Sequence, residues 1–484
     1  MSKKFAGQVS LLVLINLFVK LVWVLGIERN IQLSVGFNDY GAYYTLLSFS
    51  LILSIISDPG LSNYLIRHLS QNGISSNTNS ELLFLKIVLS LIYLGSTCGL
   101  GIALGYKHDY FQLLLVLALY QVAWQFLTYL RGFLKGLHLF NAEIFFSVLD
   151  KVLLFLLFIP LLIYDLDLSR SIFFFAYSQL IAVVISIIGC SIFLRIKRVS
   201  VFRIGKIRLN FSLLKEVWPF TLFAFLVLIY NKIDVVMLEQ ILGKEMGKEE
   251  AGVYAAANRL LDASNMICVL FTSLFFPTIS KLISNNKKID KIVSSSFGIL
   301  ISFTIVIALS SWFYRRDLMV LLYGSESNKY VSGIFAVLML NSPLLALYHI
   351  YSSVLIANNN LKQLNIISAL CVGINILLNL FLIPQYRAFG ATISSVITLA
   401  LVTFLYSIFY YRHFKVKFNL KSNVKVILLV TTLFIANNLL EKTNIHWGFS
   451  MTIFMIIGFS TSYFSRLMNV KRLFSFINQN QNNQ

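Results

Sequence analysis

Charge is scarce in this sequence. Only 12% of its 484 residues are Asp, Glu, Lys or Arg, against about 25% in a soluble globular protein. With a mean hydropathy of +0.78, that scarcity excludes an ordinary soluble enzyme. Cysteine is rarer still. Cys98, Cys190, Cys268 and Cys371 each lie in a different apolar run and form no CxxC pair. Core packing is therefore expected for all four, with no disulfide framework and no thiolate metal site. The six histidines show no HExxH spacing. There is no P-loop, no GxSxG, and no loop longer than about 20 residues. Without a domain to hold ATP, a primary ATP-driven pump would need its motor on another chain.

What fills the chain is long apolar runs. At about 20 residues per span, fourteen helices are expected, over 9–27, 40–57, 82–105, 110–131, 143–163, 171–194, 216–239, 252–276, 292–313, 331–356, 364–383, 390–411, 424–440 and 446–465. Only helices and closed barrels satisfy their backbone in lipid, and unbroken runs without alternation exclude the barrel. The fold class is all-α integral membrane protein. Lys3 and Lys4 precede a first run too long for a signal h-region, so that run reads as a span that stays.

The 40 basic and 20 acidic residues leave a net charge of +20. In a soluble chain this would suggest nucleic acid. Here the basic residues sort by membrane side, and no nucleic-acid partner is expected. With the N-terminus inside, 25 of them fall in cytoplasmic segments and 10 in the opposite loops. That bias follows the positive-inside rule and places both termini in the cytoplasm. The richest basic loop, Arg195 to Lys215, separates two sets of six spans and reads as a topology anchor. The expected domains are an N-lobe (1–200), a basic linker (201–215), a C-lobe (216–412) and a C-terminal pair of helices with a tail (413–484). The lobes look related: Asp39-Tyr-Gly-Ala-Tyr43 and Glu250-Ala-Gly-Val-Tyr254 stand 211 residues apart, and Phe158-Ile-Pro160 matches Leu382-Ile-Pro384. A six-helix unit duplicated in parallel is a transporter pattern, with the substrate site between the repeats.

A charge inside a span costs roughly 2.5–3.5 kcal/mol on insertion scales and usually faces protein or water. Lys232 and Asp234 sit inside the seventh run, Arg259 and Asp262 inside the eighth, and Lys20 deep in the first. Lys20, Lys232 and Arg259 are expected at one level of a cationic cavity, with Tyr230 and Asn231 as polar and aromatic neighbours. The alternative is that Lys232 with Asp234, and Arg259 with Asp262, are ion pairs that stabilise packing. Asp150 and Lys151 are expected to line the inner half, nearer the cytoplasm, and to point in different directions. Lys86, near a helix start, is expected to snorkel. Asp58-Pro-Gly-Leu61 reads as a turn. With Arg67, in a segment of amphipathic character, it is the candidate gate or portal. Gly95, Gly99, Gly101 and Gly105 are expected to serve helix contact, and Ala255, Ala256 and Ala257 close approach.

Several of these motifs carry a resemblance. The run Lys20-Leu-Val, then Gly36-Phe-Asn-Asp-Tyr-Gly-Ala-Tyr43, Ser57-Asp-Pro-Gly-Leu61 and Leu65-Ile-Arg67 resembles the opening of Wzx-type polysaccharide repeat-unit (O-antigen or capsule) flippases, in the multidrug/oligosaccharidyl-lipid/polysaccharide exporter superfamily. Leu382-Ile-Pro-Gln-Tyr-Arg-Ala-Phe-Gly-Ala391 resembles a run before that superfamily's twelfth helix, with Arg387 in place of a small residue. Gly252-Val-Tyr254 with Arg259 fits the start of its eighth. The resemblance implies two six-helix lobes around a central cavity plus two C-terminal helices, in a bacterial cytoplasmic (inner) membrane. It implies a flippase, not an enzyme, that moves an undecaprenyl-diphosphate-linked oligosaccharide outward, beside membrane lipids and a polysaccharide polymerase complex as partners. No cofactor is expected; a coupled Na⁺ or H⁺ stays open, with Asp234 or Asp262 as candidate ligands. The competing readings are a cation-coupled multidrug exporter, whose cavity should be apolar or acidic, and a membrane glycan polymerase or ligase, which needs a larger outer loop. On the flippase reading, Arg259→Ala abolishes glycan export while the protein stays in the membrane. Normal export at normal protein level would reject a role for that residue.

Overall fold

The computed structural model describes residues 15–16, 18–19, 22–72, 76–164, 171–199, 201, 212–285, 287–414, 420–443 and 445–468. Lys20 and most of the basic linker 201–215 lie outside them. The described chain is helical, with no strand among the described residues. A π-helical turn, Trp23–Glu28, leads into α1 (Arg29–Leu53). Then come α2 (Leu61–Asn72), α3 (Ser76–Ala103), α4 (Asp109–Gly136), α5 (Phe140–Ile163), α6 (Ile172–Ile196), α7 (Ser212–Leu242) and α8 (Lys244–Ser284). They are followed by α9 (Asp290–Phe313), the short α10 (Arg315–Tyr323), α11 (Lys329–Met339), α12 (Asn341–Ala357), α13 (Leu361–His413), α14 (Leu420–Leu440) and α15 (Trp447–Phe464).

Twelve segments among the described residues are long and apolar enough to cross a bilayer. Two are interrupted. The segment 23–56 breaks at Gly36 (φ 81°, ψ 169°) and the segment 361–413 at Arg387 (φ 53°, ψ −132°). The segment 361–413 therefore holds two of the fourteen expected spans, the segment 23–56 joins the end of the first to the second, and each break is confined to one residue. The first expected span, 9–27, lies mostly outside the described residues. Gly36 adopts its positive φ without penalty. Arg387 has a Cβ and does not.

Two compact units form, residues 2–252 and 253–484. In the first, α2 is the amphipathic piece foreseen after the Asp58 turn. It buries Leu61, Leu65 and Leu69 and exposes Arg67 and Ser70. Each buried leucine is worth about 1.5–3 kcal/mol. The close approach that permits this comes from α4, where a Cβ on Gly136 would press on Leu69 and one on Gly132 on Leu65. The glycines of α3 act otherwise than expected. Gly95 and Gly99 have nothing within 4 Å, and only Gly101 is tight, against Leu114 of α4. The small-residue face of α3 is thus mostly exposed, and helix contact falls to a different pair. Ala255, Ala256 and Ala257 are buried, as close approach requires. The cysteines are unbonded, three of them buried and Cys98 half-buried.

In the second unit α9 is the central helix. It packs on α12, α11, α14 and α15. The two C-terminal helices pair with each other, and Gly458 of α15 lets Val306 of α9 and Leu433 of α14 approach. Prolines Pro160, Pro219, Pro277 and Pro384 sit inside helices. Each removes a backbone donor and favours a bend.

The Arg387 turn yields a test. Strained φ/ψ of this kind costs about 1–3 kcal/mol. Arg387→Gly and Arg387→Ala both remove the side chain, but only glycine relieves the backbone. Arg387→Gly should melt later than Arg387→Ala in detergent; equal melting temperatures would refute the strain.

Candidate functional site

Several charges within the first unit are paired. Asp58, at the end of the first long segment, accepts Lys86 Nζ of α3 at 2.8 Å, the Ser62 amide at 3.2 Å and the Ser62 hydroxyl. Lys86 is 0% exposed, so it does not snorkel as expected. It lies ten residues into α3, with Asp58 within reach, and the pair replaces water for both. Removing one partner of such a buried pair costs about 3–5 kcal/mol. Thr221 of α7 donates to the Pro59 carbonyl at 2.8 Å, which ties the same corner to α7. Arg67 is exposed on α2.

Asp150 and Lys151 lie near the middle of the 24-residue α5, deeper than expected. They also pair, at 3.3 Å, although adjacent residues on a helix start in different directions. Asp150 is 1% exposed, and its carboxylate accepts no hydrogen bond among the described residues, which leaves the ion pair with Lys151. The Lys151 ammonium sits 4.6 Å from the Trp23 ring centroid and 5.6 Å from that of Trp124. Such contacts are worth up to about 2 kcal/mol when desolvated. Trp23 is itself held by a 2.9 Å bond from Nε1 to Glu28 and by stacking on Phe175. A third cluster, at the far end of α4, joins Arg131 (2.7 Å) and Lys135 (3.4 Å) to the fully buried Glu143 of α5.

On α7, Lys232 is half-buried. Its ammonium donates to the Tyr44 hydroxyl of α1 at 3.2 Å and lies 5.3 Å from that ring's centroid. Tyr44 stacks on Tyr40, which packs against Tyr43, whose hydroxyl bonds Gln179 of α6 at 2.9 Å. Asp234 and Tyr230 are buried. Asn231 is exposed and spends its amide on the Val227 carbonyl of its own helix.

Toward the side expected to face outward, α1 and the first turns of α8 meet backbone to backbone. A Cβ on Gly41 would overlap the carbonyl oxygen of Lys248, and one on Gly252 that of Phe37. These two contacts exchange under the 211-residue offset, which carries Phe37 to position 248 and Gly41 to position 252. The glycines matched by sequence are thus two halves of one near-symmetric crossing. Gln32 fastens it by donating to the Gly252 carbonyl at 2.9 Å. Nearby, the Tyr106 hydroxyl donates to Glu239 at 3.2 Å, and Lys248 reaches Tyr110. Burial, then the charge of Glu239, holds the Tyr106 phenol well above its usual pKa.

In the second unit, Arg259 of α8 is buried and Asp262, three residues on, is half-buried. Further along, His349 Nε2 meets Asn265 Oδ1 at 2.7 Å, and Asn341 donates to Ser395 at 3.1 Å. This interior is polar and hydrogen-bonded.

A family model described as polysaccharide biosynthesis protein matches residues 7–283, more than half of the chain. The chain belongs to the polysaccharide biosynthesis protein family. No match was found among curated protein sequences. Among solved structures, the lipid II flippase MurJ in an inward closed conformation is similar with a TM-score of 0.69 at 16% identity, over 96% of this chain and 98% of that one. An inward-facing multidrug resistance transporter of the MATE family and MOP superfamily gives 0.59 at 16% identity, over 83% and 99%. A MOP superfamily transporter from Pyrococcus furiosus gives 0.59 at 16%, over 85% and 96%. At such identities these likenesses establish the fold alone.

Within this family member, the structure brings Asp150 to Lys151 and Asp58 to Lys86. It places Lys232 against Tyr44. Sequence reasoning missed Trp23, Glu28, Tyr44 and Trp124, because aromatic residues inside apolar runs carry no signal of what they face. Glu143 was a missed signal: it stands four residues into α5, with Arg131 and Lys135 on the preceding helix.

The glycine crossing yields a prediction. Gly41→Ala forces α1 away from Lys248, so a cysteine at Asn231 should react several-fold faster with an impermeant thiol reagent added outside. Unchanged labelling at normal protein level would show that the crossing seals nothing.

Proposed function

We propose that this protein is a flippase that moves undecaprenyl-diphosphate-linked oligosaccharide repeat units from the cytoplasmic to the outer leaflet by alternating access, for surface polysaccharide synthesis. The observation that carries the reading is Lys232, a half-buried ammonium within a membrane span, lying below the glycine crossing of α1 and α8. Membership of a polysaccharide biosynthesis family and a fold shared with a lipid II flippase support it. The protein acts on this reading as a transporter and not as an enzyme.

A diphosphate diester carries about two negative charges. Lysine meets it as a compact point charge, arginine through bidentate bonds. Lys232, Lys20 and Arg259 are the proposed headgroup ligands. Tyr230 and Asn231 would serve the sugars, with Asp150 and Lys151 deeper in the N-lobe. The moving bodies are the lobes 1–200 and 216–412, joined by the basic linker 201–215. Asp58 and Arg67 flank the entry. The inner membrane's inside-negative potential favours outward movement of an anion by about 2.3 kcal/mol per charge per 100 mV, so no ATP is needed. Asp234 and Asp262 are the candidates for a coupled Na⁺ or H⁺. The MATE-like fold over 83% of the chain makes cation-coupled drug export the second reading.

The test is transbilayer movement of a defined undecaprenyl-diphosphate oligosaccharide in proteoliposomes, with an imposed potential and no ATP. Wild type should move it, and Lys232→Ala or Lys20→Ala should slow movement about tenfold or more, as loss of a charge-assisted bond of about 1.5–3 kcal/mol implies. Movement of cationic drugs but not of the glycan lipid would favour the exporter, and lengthening of added glycan chains would favour the polymerase.

A further inference from the structure

The second unit contains a cavity of about 110 Å³ that none of the charges above lines. Its wall is aromatic. Tyr351 of α12 and Tyr410 and Tyr411 of α13 line it, with ring centroids 5.3 Å (351–410), 6.3 Å (351–411) and 5.2 Å (410–411) apart. The rings are tilted at 39°, 60° and 70°, so they form a curved wall and not a flat stack. Asp290, the first residue of α9, lines the same space, as do Ser422 and Asn423 from the first turn of α14.

The depth of the cavity follows from the helix ends. Asp290 begins α9, Tyr410 and Tyr411 fall within the last four residues of α13, and Ser422 is the third residue of α14. It lies at headgroup level, where tyrosine is enriched, on the side that the basic loops assign to the cytoplasm. Against that basic background, an acid facing three tyrosines is out of pattern. Aromatic faces attract cations, and with a carboxylate beside them they disfavour an anion. A cavity of about 110 Å³ has room for several water-sized groups, enough for a small headgroup such as ethanolamine.

We infer that this cavity binds the ammonium of a phospholipid headgroup from the cytoplasmic leaflet, held over Tyr351, Tyr410 and Tyr411 and beside the Asp290 carboxylate. The lipid's phosphate then lies toward Ser422 and Asn423. The exposed cations Lys291 and Arg412, next in sequence to Asp290 and Tyr411, stand ready to meet it. The site is separate from the proposed glycan path and does not depend on it.

The test uses the full chain in nanodiscs, with retained lipid counted by native mass spectrometry and no glycan present. Phosphatidylethanolamine should be retained several-fold over phosphatidylglycerol, which lacks an ammonium, and phosphatidylcholine should compete for the same site. Asp290→Asn and Tyr411→Leu, the first at an exposed and the second at a half-exposed side chain, should each reduce the preference at least threefold without lowering the melting temperature of the lipid-free protein. Equal retention of the two lipids, or a preference that survives both substitutions, would overturn the site. So would higher ethanolamine-lipid retention after removal of residues 469–484, since Lys471 or Arg472 of the chain's own tail would then be the occupant.

Discussion

A charge carried into a bilayer has no water to return to, and the described structure is arranged around that constraint. Insertion scales put the cost at roughly 2.5–3.5 kcal/mol per charge at a helix centre. The first unit meets it by three different means. Asp58 and Lys86 neutralise each other, and Asp58 also accepts from the Ser62 amide and hydroxyl. Glu143 takes two cations at once, Arg131 and Lys135. Lys151 combines its neighbour Asp150 with the faces of two tryptophans. Lys232 also donates to a tyrosine hydroxyl and lies near that ring's face.

The glycine crossing of α1 and α8 is the second organising feature. Backbone-to-backbone approach needs residues without a Cβ on both sides, and Gly41 and Gly252 supply them. Because the two contacts exchange under the repeat offset, the crossing has the character of an isologous interface, in which each side offers the same surface. Gln32 fastens it through the Gly252 carbonyl.

Much of the candidate site was legible in the sequence, and the rest failed for a consistent reason. The Asp39–Tyr43 and Glu250–Tyr254 match was short, yet both its glycines prove to be contact residues. The Asp58 turn and the amphipathic segment after it were readable, because Pro-Gly punctuation and a one-sided leucine pattern are local. Lys86 was misread, because nothing near it in sequence announces Asp58, 28 positions away. The glycines of α3 were misread for a related reason. In lipid a helix apolar on every face has no distinguished face, so spacing alone does not say which side meets protein.

Hydropathy and charge bias by themselves determined that the chain is a multi-spanning helical protein, where nearly all its spans lie, and the sidedness expected of its loops. They do so because insertion is close to additive along the chain: each run partitions on its own composition, and each loop on its own charge. Only the tertiary structure decided which buried charges are partners, that Gly36 and Arg387 join neighbouring spans with single-residue turns, and that three tyrosines share a cavity with Asp290. Those outcomes depend on how helices rotate and approach one another. The lipid-facing and protein-facing sides of such helices are equally apolar, so that rotation leaves no trace in composition.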